Sequence, residues 1–168
     1  MVSIRAPLPE ELESLREIER AAGSLFAEVG LAEVAAHEPD DVETLKGYLE
    51  ARRVWVIAED EAPVGYALID VVDGLAHLEQ LSVRPERGRH GLGAALLAHV
   101  CLWAKQQQFE AMTLTTFEHL SWNAPFYAKQ GFEVLGDEQL GPELRRLRDD
   151  ETNHGLDPSL RVCMRRQL

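Results

Sequence analysis

The stretch from Leu81 to Leu97 constrains this chain more than any other. Strand-forming residues run straight into a loop with three glycines (Gly88, Gly91, Gly93), and the loop opens a long helical pattern. Unpaired backbone N–H groups at the start of a helix make an anion site, and glycines let a phosphate come close to the backbone. Arg84, Arg87, Arg89 and His90 crowd the same loop. A basic cluster there, in a chain whose net charge is −12, points to a bound polyanion. Two phosphate-binding patterns fail on the letters. A P-loop needs a lysine after its last glycine, and none is present. A dinucleotide fingerprint starting at Gly91 would need glycine where Leu96 stands.

The flanking residues supply the layers. Val2 to Arg5 reads as a strand, and Leu12, Leu15, Ile18, Ala22 and Leu25 recur at helical spacing. Gly30 and Pro39 interrupt the pattern, and a second helix is predicted over Asp40 to Glu50 with Asp40 as its N-cap. Val54 to Ala58 and Val64 to Val72 form an antiparallel hairpin, and Ala76 to Val83 a third strand. The helix after the loop spans Gly91 to Gln107, with Leu92, Leu96, His99 and Trp103 on one face. Met112 to Phe117 is a strand and Asn123 to Gln130 a short helix. Phe132 to Leu135 and Arg161 to Arg165 complete the sheet, and a helix around Leu144, Leu147 and Arg148 ends near Gly155. The expected fold is one α/β domain over residues 1–168, a mixed and mostly antiparallel sheet with helices on both faces.

Charge and composition exclude several classes. The acidic balance disfavours nucleic acid and favours cationic small molecules. No apolar run reaches the roughly 20 residues of a membrane span. The first residues lack the apolar core of a signal peptide, so the expectation is a cytoplasmic protein. Cys101 and Cys163 are isolated and read as buried thiols. His37, His99, His119 and His154 show no metal-ligand spacing, and no metal is expected. Ser24, Ser121 and Ser159 lack a nucleophile-elbow context. Arg145-Arg146 and Arg165-Arg166 read as solvated faces.

A second element lies downstream, where Asn123-Ala124-Pro125-Phe126-Tyr127 leads to Gly131-Phe132. By itself it is an amphipathic helix with Gly131 as its C-terminal cap. Together, the strand with a basic loop ending in Gly-x-Gly and the Asn…Tyr-x-x-x-Gly-Phe element resemble the GNAT acyltransferase superfamily over about residues 76 to 135. The family loop carries Gln or Arg at the position where Gly88 stands, so this chain departs from the pattern by one side chain. The resemblance implies acetyl-CoA as co-substrate. Its contacts would be the strand end Leu81, Ser82 and Val83, the loop and helix start Gly88, Arg89, His90, Gly91, Leu92, Gly93 and Ala94, and Asn123 and Tyr127 farther on.

The resemblance also implies acetyl transfer to a primary amine. Family members commonly carry Glu or His as a base at positions matching His77 or Glu79, and an ammonium must lose a proton before it attacks a thioester. Tyr127 would serve as the acid near the sulfur. Two other readings keep the same motifs: a non-catalytic acyl-CoA-binding domain, and a protein N-terminal acetyltransferase. Homodimers are common in the family, and self-association is an expectation of that kind only. Thr116 to Trp122 joins the two cofactor elements and is a candidate acceptor wall, with Phe117 and Trp122 also fitting as core.

Overall fold

A computed structural model describes all 168 residues. The seven strands are β1 (Val2–Arg5), β2 (Val54–Glu59), β3 (Ala62–Val72), β4 (Leu75–Val83), β5 (Ala111–Phe117), β6 (Glu133–Val134) and β7 (Arg161–Gln167). They form one sheet in the order β1-β2-β3-β4-β5-β7-β6. Pairing is antiparallel for β1 with β2, β2 with β3, β5 with β7 and β6 with β7. It is parallel for β4 with β5, through Ala76 opposite Met112 and His77 opposite Thr113. The helices are α1 (Leu12–Ala27), α2 (Ala32–Ala35), α3 (Val42–Glu50), α4 (Leu92–Gln106), α5 (Ala124–Lys129) and α6 (Pro142–Asn153). The mixed, mostly antiparallel α/β sheet expected from the residue pattern is the observed one. The chain divides into two compact units, Met1–Ile69 with Glu79–Val100, and Asp70–Leu78 with Cys101–Leu168.

In the first unit Val54 lies opposite Leu68, and Val56 opposite Tyr66. Residues directly opposite in a ladder share a sheet face. These four pack with Leu12, Leu15 and Ile18 of α1 and Leu45 of α3. Trp55, between them, leaves on the other face, where its ring meets His99 of α4 edge-on at 6.4 Å. Helices therefore cover both faces of this unit. The cap of α3 is a correction: Asp41, not Asp40, accepts from the Thr44 N–H at 2.8 Å, and the helix starts at Val42. Two adjacent aspartates offered the same signal, and only the second has extended backbone one residue before the helix. The four-residue α2 has no periodic signature to find.

Turns in the first unit follow from left-handed backbone. Asp60 and Glu61, at φ 49° and 71°, join β2 to β3 as a two-residue hairpin loop. Beyond Ile57 opposite Gly65 the register shifts, so that Ala58 faces Pro63 and Val64 is the extra residue. Gly65 is required by close approach. A Cβ there would stand 2.8 Å from the Ser82 carbonyl oxygen and 3.0 Å from Ile57 Cγ2.

The second unit is organised around α6. Its N-cap position is Gly141, which has no side chain to offer. Asp73 supplies the cap from 70 residues earlier, accepting from the Glu143 N–H at 2.9 Å and the Leu144 N–H at 3.0 Å. Glu143 returns a carboxylate oxygen to the Asp73 N–H at 3.0 Å. The arrangement is a capping box made between distant segments. It seats Leu144 against Val72 and Cys163, with Leu135, Leu140 and Leu147 around them. Arg165 and Arg166 are half-buried rather than solvated, because β7 runs between β5 and β6.

Gly65→Ala is expected to lower stability by about 1–3 kcal/mol, because the added methyl meets a backbone carbonyl that has nowhere to go. Urea denaturation measures it; an unchanged midpoint would mean that β4 shifts aside at no cost.

Candidate functional site

The basic loop runs from Arg84 to Gly91, beginning with a short 3-10 turn at Pro85–Arg87. Its later part uses left-handed backbone twice, at Arg89 (φ 64°) and Gly91 (φ 76°). The Gly91 carbonyl accepts the Ala95 N–H at 3.0 Å, which makes Gly91 the N-cap residue of α4. Glycine brings no capping side chain, and the N–H groups of Leu92, Gly93 and Ala94 have no acceptor within the chain. A 15-residue helix thus starts with its donors and the positive end of its dipole uncovered.

The four basic side chains of the loop are not equivalent. Arg87 donates to Glu59 through Nε at 2.8 Å and a terminal nitrogen at 2.5 Å, and so braces the loop against β2. Arg84 approaches Glu17 at 4.0 Å, and its N–H donates to the Val64 carbonyl at 2.8 Å. Arg89 and His90 are exposed. Of the arginines that flank Gly88 in sequence, only Arg89 is therefore available to a phosphate.

Burial separates the two candidate bases. Glu79, in the first unit, is exposed. His77, in the second, is 1% exposed, and its Nδ1 shares a 2.8 Å hydrogen bond with Thr113 Oγ1. Burial lowers the His77 pKa to about 4 against the opposing pull of Asp70 and Glu151, so the ring is neutral at pH 7. Leu81 and Val83 are half-buried and Ser82 is buried.

The first unit also gathers carboxylates that spacing alone does not reveal. The buried Tyr66 hydroxyl donates to Glu19, and burial with the charges of Glu19, Asp40 and Glu79 pushes the phenol up. Burial and Asp40 in turn raise Glu19 to about 7. Glu19 lies one position from Ile18 on an amphipathic helix, where a sequence reading assigns it to solvent.

In the second unit Asn123 caps α5 through its carbonyl, which accepts the Tyr127 N–H at 3.0 Å. Its side-chain oxygen is held by Thr116 Oγ1 at 2.6 Å and by the Phe117 N–H at 3.4 Å, at the end of β5. Thr116 is the residue that fixes Asn123, and nothing in the motif names it. α5 ends at Gly131 (φ 92°), where the Phe132 N–H returns to the Tyr127 carbonyl at 3.1 Å. The expected glycine cap is thus present. Tyr127 packs edge-on between Phe126 and Phe132, with ring centroids at 5.1 and 5.8 Å. Burial pushes its hydroxyl pKa up, opposed by Arg161, and the phenol stays protonated. Arg161 lies over the Phe117 ring at 4.6 Å and pairs with Glu151 at 3.2 Å. Phe117 is buried, whereas Trp122 is 37% exposed. Cys101 and Cys163 are buried, and burial raises both thiols. No group of three or more His, Cys, Asp or Glu side chains is placed to hold a metal ion. No helix is long and apolar enough to cross a membrane.

Residues 12–132 match the acetyltransferase (GNAT) family. Among solved structures, an acetyltransferase of the GNAT family from Staphylococcus aureus Mu50 is similar with a TM-score of 0.75 at 19% identity, covering 100% of this chain and 99% of that one. PaiA N-acetyltransferase from Thermoplasma acidophilum, in complex with coenzyme A, gives 0.72 at 18% identity over 100% and 99%. N-acetylglutamate synthase from Neisseria gonorrhoeae, complexed with coenzyme A and N-acetyl-glutamate, gives 0.74 at 19%; it covers 100% of this chain, which spans 35% of that longer one. At these identities the likeness is one of fold.

His77 gives a pH signature with a definite sign. Its folded pKa of about 4 lies below the unfolded value near 6.5, so the unfolded chain binds the proton first. Stability from the neutral ring is complete above about pH 6.5 and is lost as pH falls toward 4. Glu19, raised to about 7, has the opposite slope, so the comparison to make is wild type against His77→Gln. Urea midpoints measured across pH 4 to 7 are expected to show the variant losing less stability on acidification; parallel curves would contradict the assignment.

Proposed function

Because the chain belongs to the acetyltransferase (GNAT) family and is an acyltransferase, we propose that it moves the acetyl group of acetyl-CoA to a primary amine on a small cationic acceptor, by direct attack in a ternary complex. The observation that carries the cofactor part is the uncapped start of α4, where three backbone donors and a left-handed glycine lie beside exposed Arg89. A pyrophosphate supplies the acceptor oxygens those N–H groups lack, and Gly91 admits it without a side chain. The departure at Gly88 removes one side-chain contact and leaves this backbone cradle whole. Leu81, Ser82 and Val83 would take the pantetheine arm, together with Asn123.

In the proposed step the acceptor ammonium gives its proton to Glu79, directly or through a water. The free amine then attacks the thioester carbon. The C–N bond forms, the C–S bond breaks, Tyr127 donates its phenolic proton to the departing thiolate, and the second proton lost by the acceptor nitrogen restores the phenol. Glu79 suits the base role better than His77, because it is exposed whereas His77 is enclosed. His77 then holds the start of β4 to β5 through Thr113. Direct transfer is supported by the two thiols, both buried and both raised, which leaves no thiolate to carry an acetyl group. Glu19, Asp40 and Glu79 around Tyr66, in a chain of charge −12, favour a cationic acceptor. A mere acyl-CoA-binding domain would need neither Glu79 nor Tyr127. We read residues 1–168 as one acetyltransferase domain.

Two measurements test this reading. Gly91→Val places a β-branched residue at φ 76° and is expected to weaken acetyl-CoA binding at least tenfold, about 1.4 kcal/mol, by calorimetry. Unchanged affinity in a folded variant would remove the loop from the cofactor site. Tyr127→Phe is expected to keep acetyl-CoA affinity while kcat falls about 10²-fold, and Glu79→Gln to lower kcat/KM and change its acid limb. Turnover of Tyr127→Phe within about threefold of wild type, where chemistry limits the rate, would assign the ring to packing alone.

A further inference from the structure

A polar network at the end of β5, within the second unit, has no part in the transfer step described above. Thr115 Oγ1 donates to a carboxylate oxygen of Glu151, on α6, at 2.5 Å. Arg161, the first residue of β7, donates to Glu151 through Nε at 3.2 Å and to Thr115 Oγ1 through a terminal nitrogen at 3.0 Å. Three side chains from three elements thus close a ring of hydrogen bonds. The Arg161 and Glu151 side chains are only 11% and 18% exposed. An ion pair this enclosed is weak evidence for stability, because the loss of water costs the two charges about as much as their pairing returns.

Its place in the fold points to a use. Arg161 stands directly opposite Phe117 in the ladder, with its guanidinium over that ring at 4.6 Å. The Phe117 N–H reaches the Asn123 side chain, and Asn123 opens the short helix on which Tyr127 follows one turn later. The cation is therefore carried to the start of α5. There its charge acts on the Tyr127 hydroxyl, against the effect of burial.

We propose that Arg161 is a positioning residue for the transfer step, acting through Tyr127: its guanidinium, fixed by Glu151 and Thr115, stabilises the phenolate formed as the thiolate takes the proton. This role rests on Tyr127 as the acid of the proposed reaction. As the C–S bond breaks, the proton passes from Tyr127 Oη to the sulfur. Tyr127 then holds the negative charge until a proton from the acceptor nitrogen replaces the one it gave. A phenolate formed away from water needs a compensating cation, and one already held in place has no reorganisation to undergo.

The first arm of the test needs neither acetyl-CoA nor an acceptor. The full chain is labelled with 3,5-difluorotyrosine, whose phenol ionises more readily than that of tyrosine, and titrated by fluorine NMR. Of the three tyrosines, the Tyr127 line is the one missing from Tyr127→Phe. Arg161→Gln is expected to raise its titration midpoint by about one pH unit, a tenfold weaker acid. Glu151→Gln removes the counter-charge and keeps Arg161, and is expected to lower the midpoint. A midpoint that neither substitution moves, or that both raise, would overturn the proposal. Should Arg161→Gln not fold, the direction seen with Glu151→Gln decides.

The second arm is a double-mutant cycle on thiol release from acetyl-CoA, with the best acceptor of a panel of small primary amines. Arg161→Gln is expected to lower kcat about tenfold when Tyr127 is present and less than about twofold in Tyr127→Phe. Equal losses in the two backgrounds would make Arg161 a brace of the fold and nothing more. A Tyr127→Phe enzyme as fast as wild type would remove the acid itself, and this role for Arg161 with it. If no amine in the panel is acetylated, the titration alone decides.

Discussion

Helix α4 begins without a cap of its own. Gly91 accepts the first helical hydrogen bond but has no side chain to satisfy the donors that follow it. A helix of 15 residues with an uncovered positive end has an electrostatic demand that an anion meets. The neighbouring features serve that demand. The left-handed turns at Arg89 and Gly91 bring the chain into the helix. The Arg87–Glu59 pair fastens the earlier half of the loop to β2, and Gly65 lets the β4 backbone that leads into the loop lie close to β3. Arg87 thus acts on the scaffold rather than on a ligand, although its sequence position suggests the reverse.

The second unit solves a different problem, the orientation of two polar residues on a helix of only six. So short a helix has little stability of its own. Asn123 is held from both ends, by its carbonyl within α5 and by its side-chain oxygen at the end of β5. Tyr127 is held by Phe126 and Phe132, and Phe132 is buried. The aromatic packing and the hydroxyl chemistry of Tyr127 are therefore complementary: the rings fix where the phenol stands, and burial keeps its proton on.

What could be read from residues alone divides along physical lines. Strands β2, β3 and β5 were legible as short apolar runs buried on both faces, and helix α4 by the helical spacing of its apolar residues. The glycine loop and the Gly131 cap were legible because left-handed backbone selects glycine. Pairing between distant segments was not. Asp40 and Asp41 are equivalent as letters, and only the path into α3 chooses between them. Arg87 and Arg89 likewise look alike until Glu59 claims one of them. The charge pattern assigned Arg165 and Arg166 to solvent, and the placement of β7 between two other strands reverses that. His77 and Glu79 differ in burial far more than their alternate spacing suggests, because burial along β4 changes between them from enclosed to open. Glu19 has no signal in the helical spacing of α1, and only the fold brings Tyr66 to it.

The cap that Asp73 places on α6 has a consequence for how this chain tolerates being rebuilt. Tight hairpin turns are usually the places where a chain accepts inserted sequence, a new terminus or a proteolytic cut. Of the two such turns at the ends of β3, Asp60-Glu61 fits that rule. Its charged contacts, Asp60 with the amino terminus and the Glu61 carbonyl with the Arg5 guanidinium at 3.1 Å, are exposed, and contacts of that kind contribute little. The Asp73-Gly74 turn does not, because it doubles as the first hydrogen-bonding layer of a helix 70 residues away. Opening the loop there would uncap α6 and loosen Leu144 from Val72 and Cys163. Evolution and protein engineering thus meet an asymmetric strand, free to grow at one end and tethered at the other.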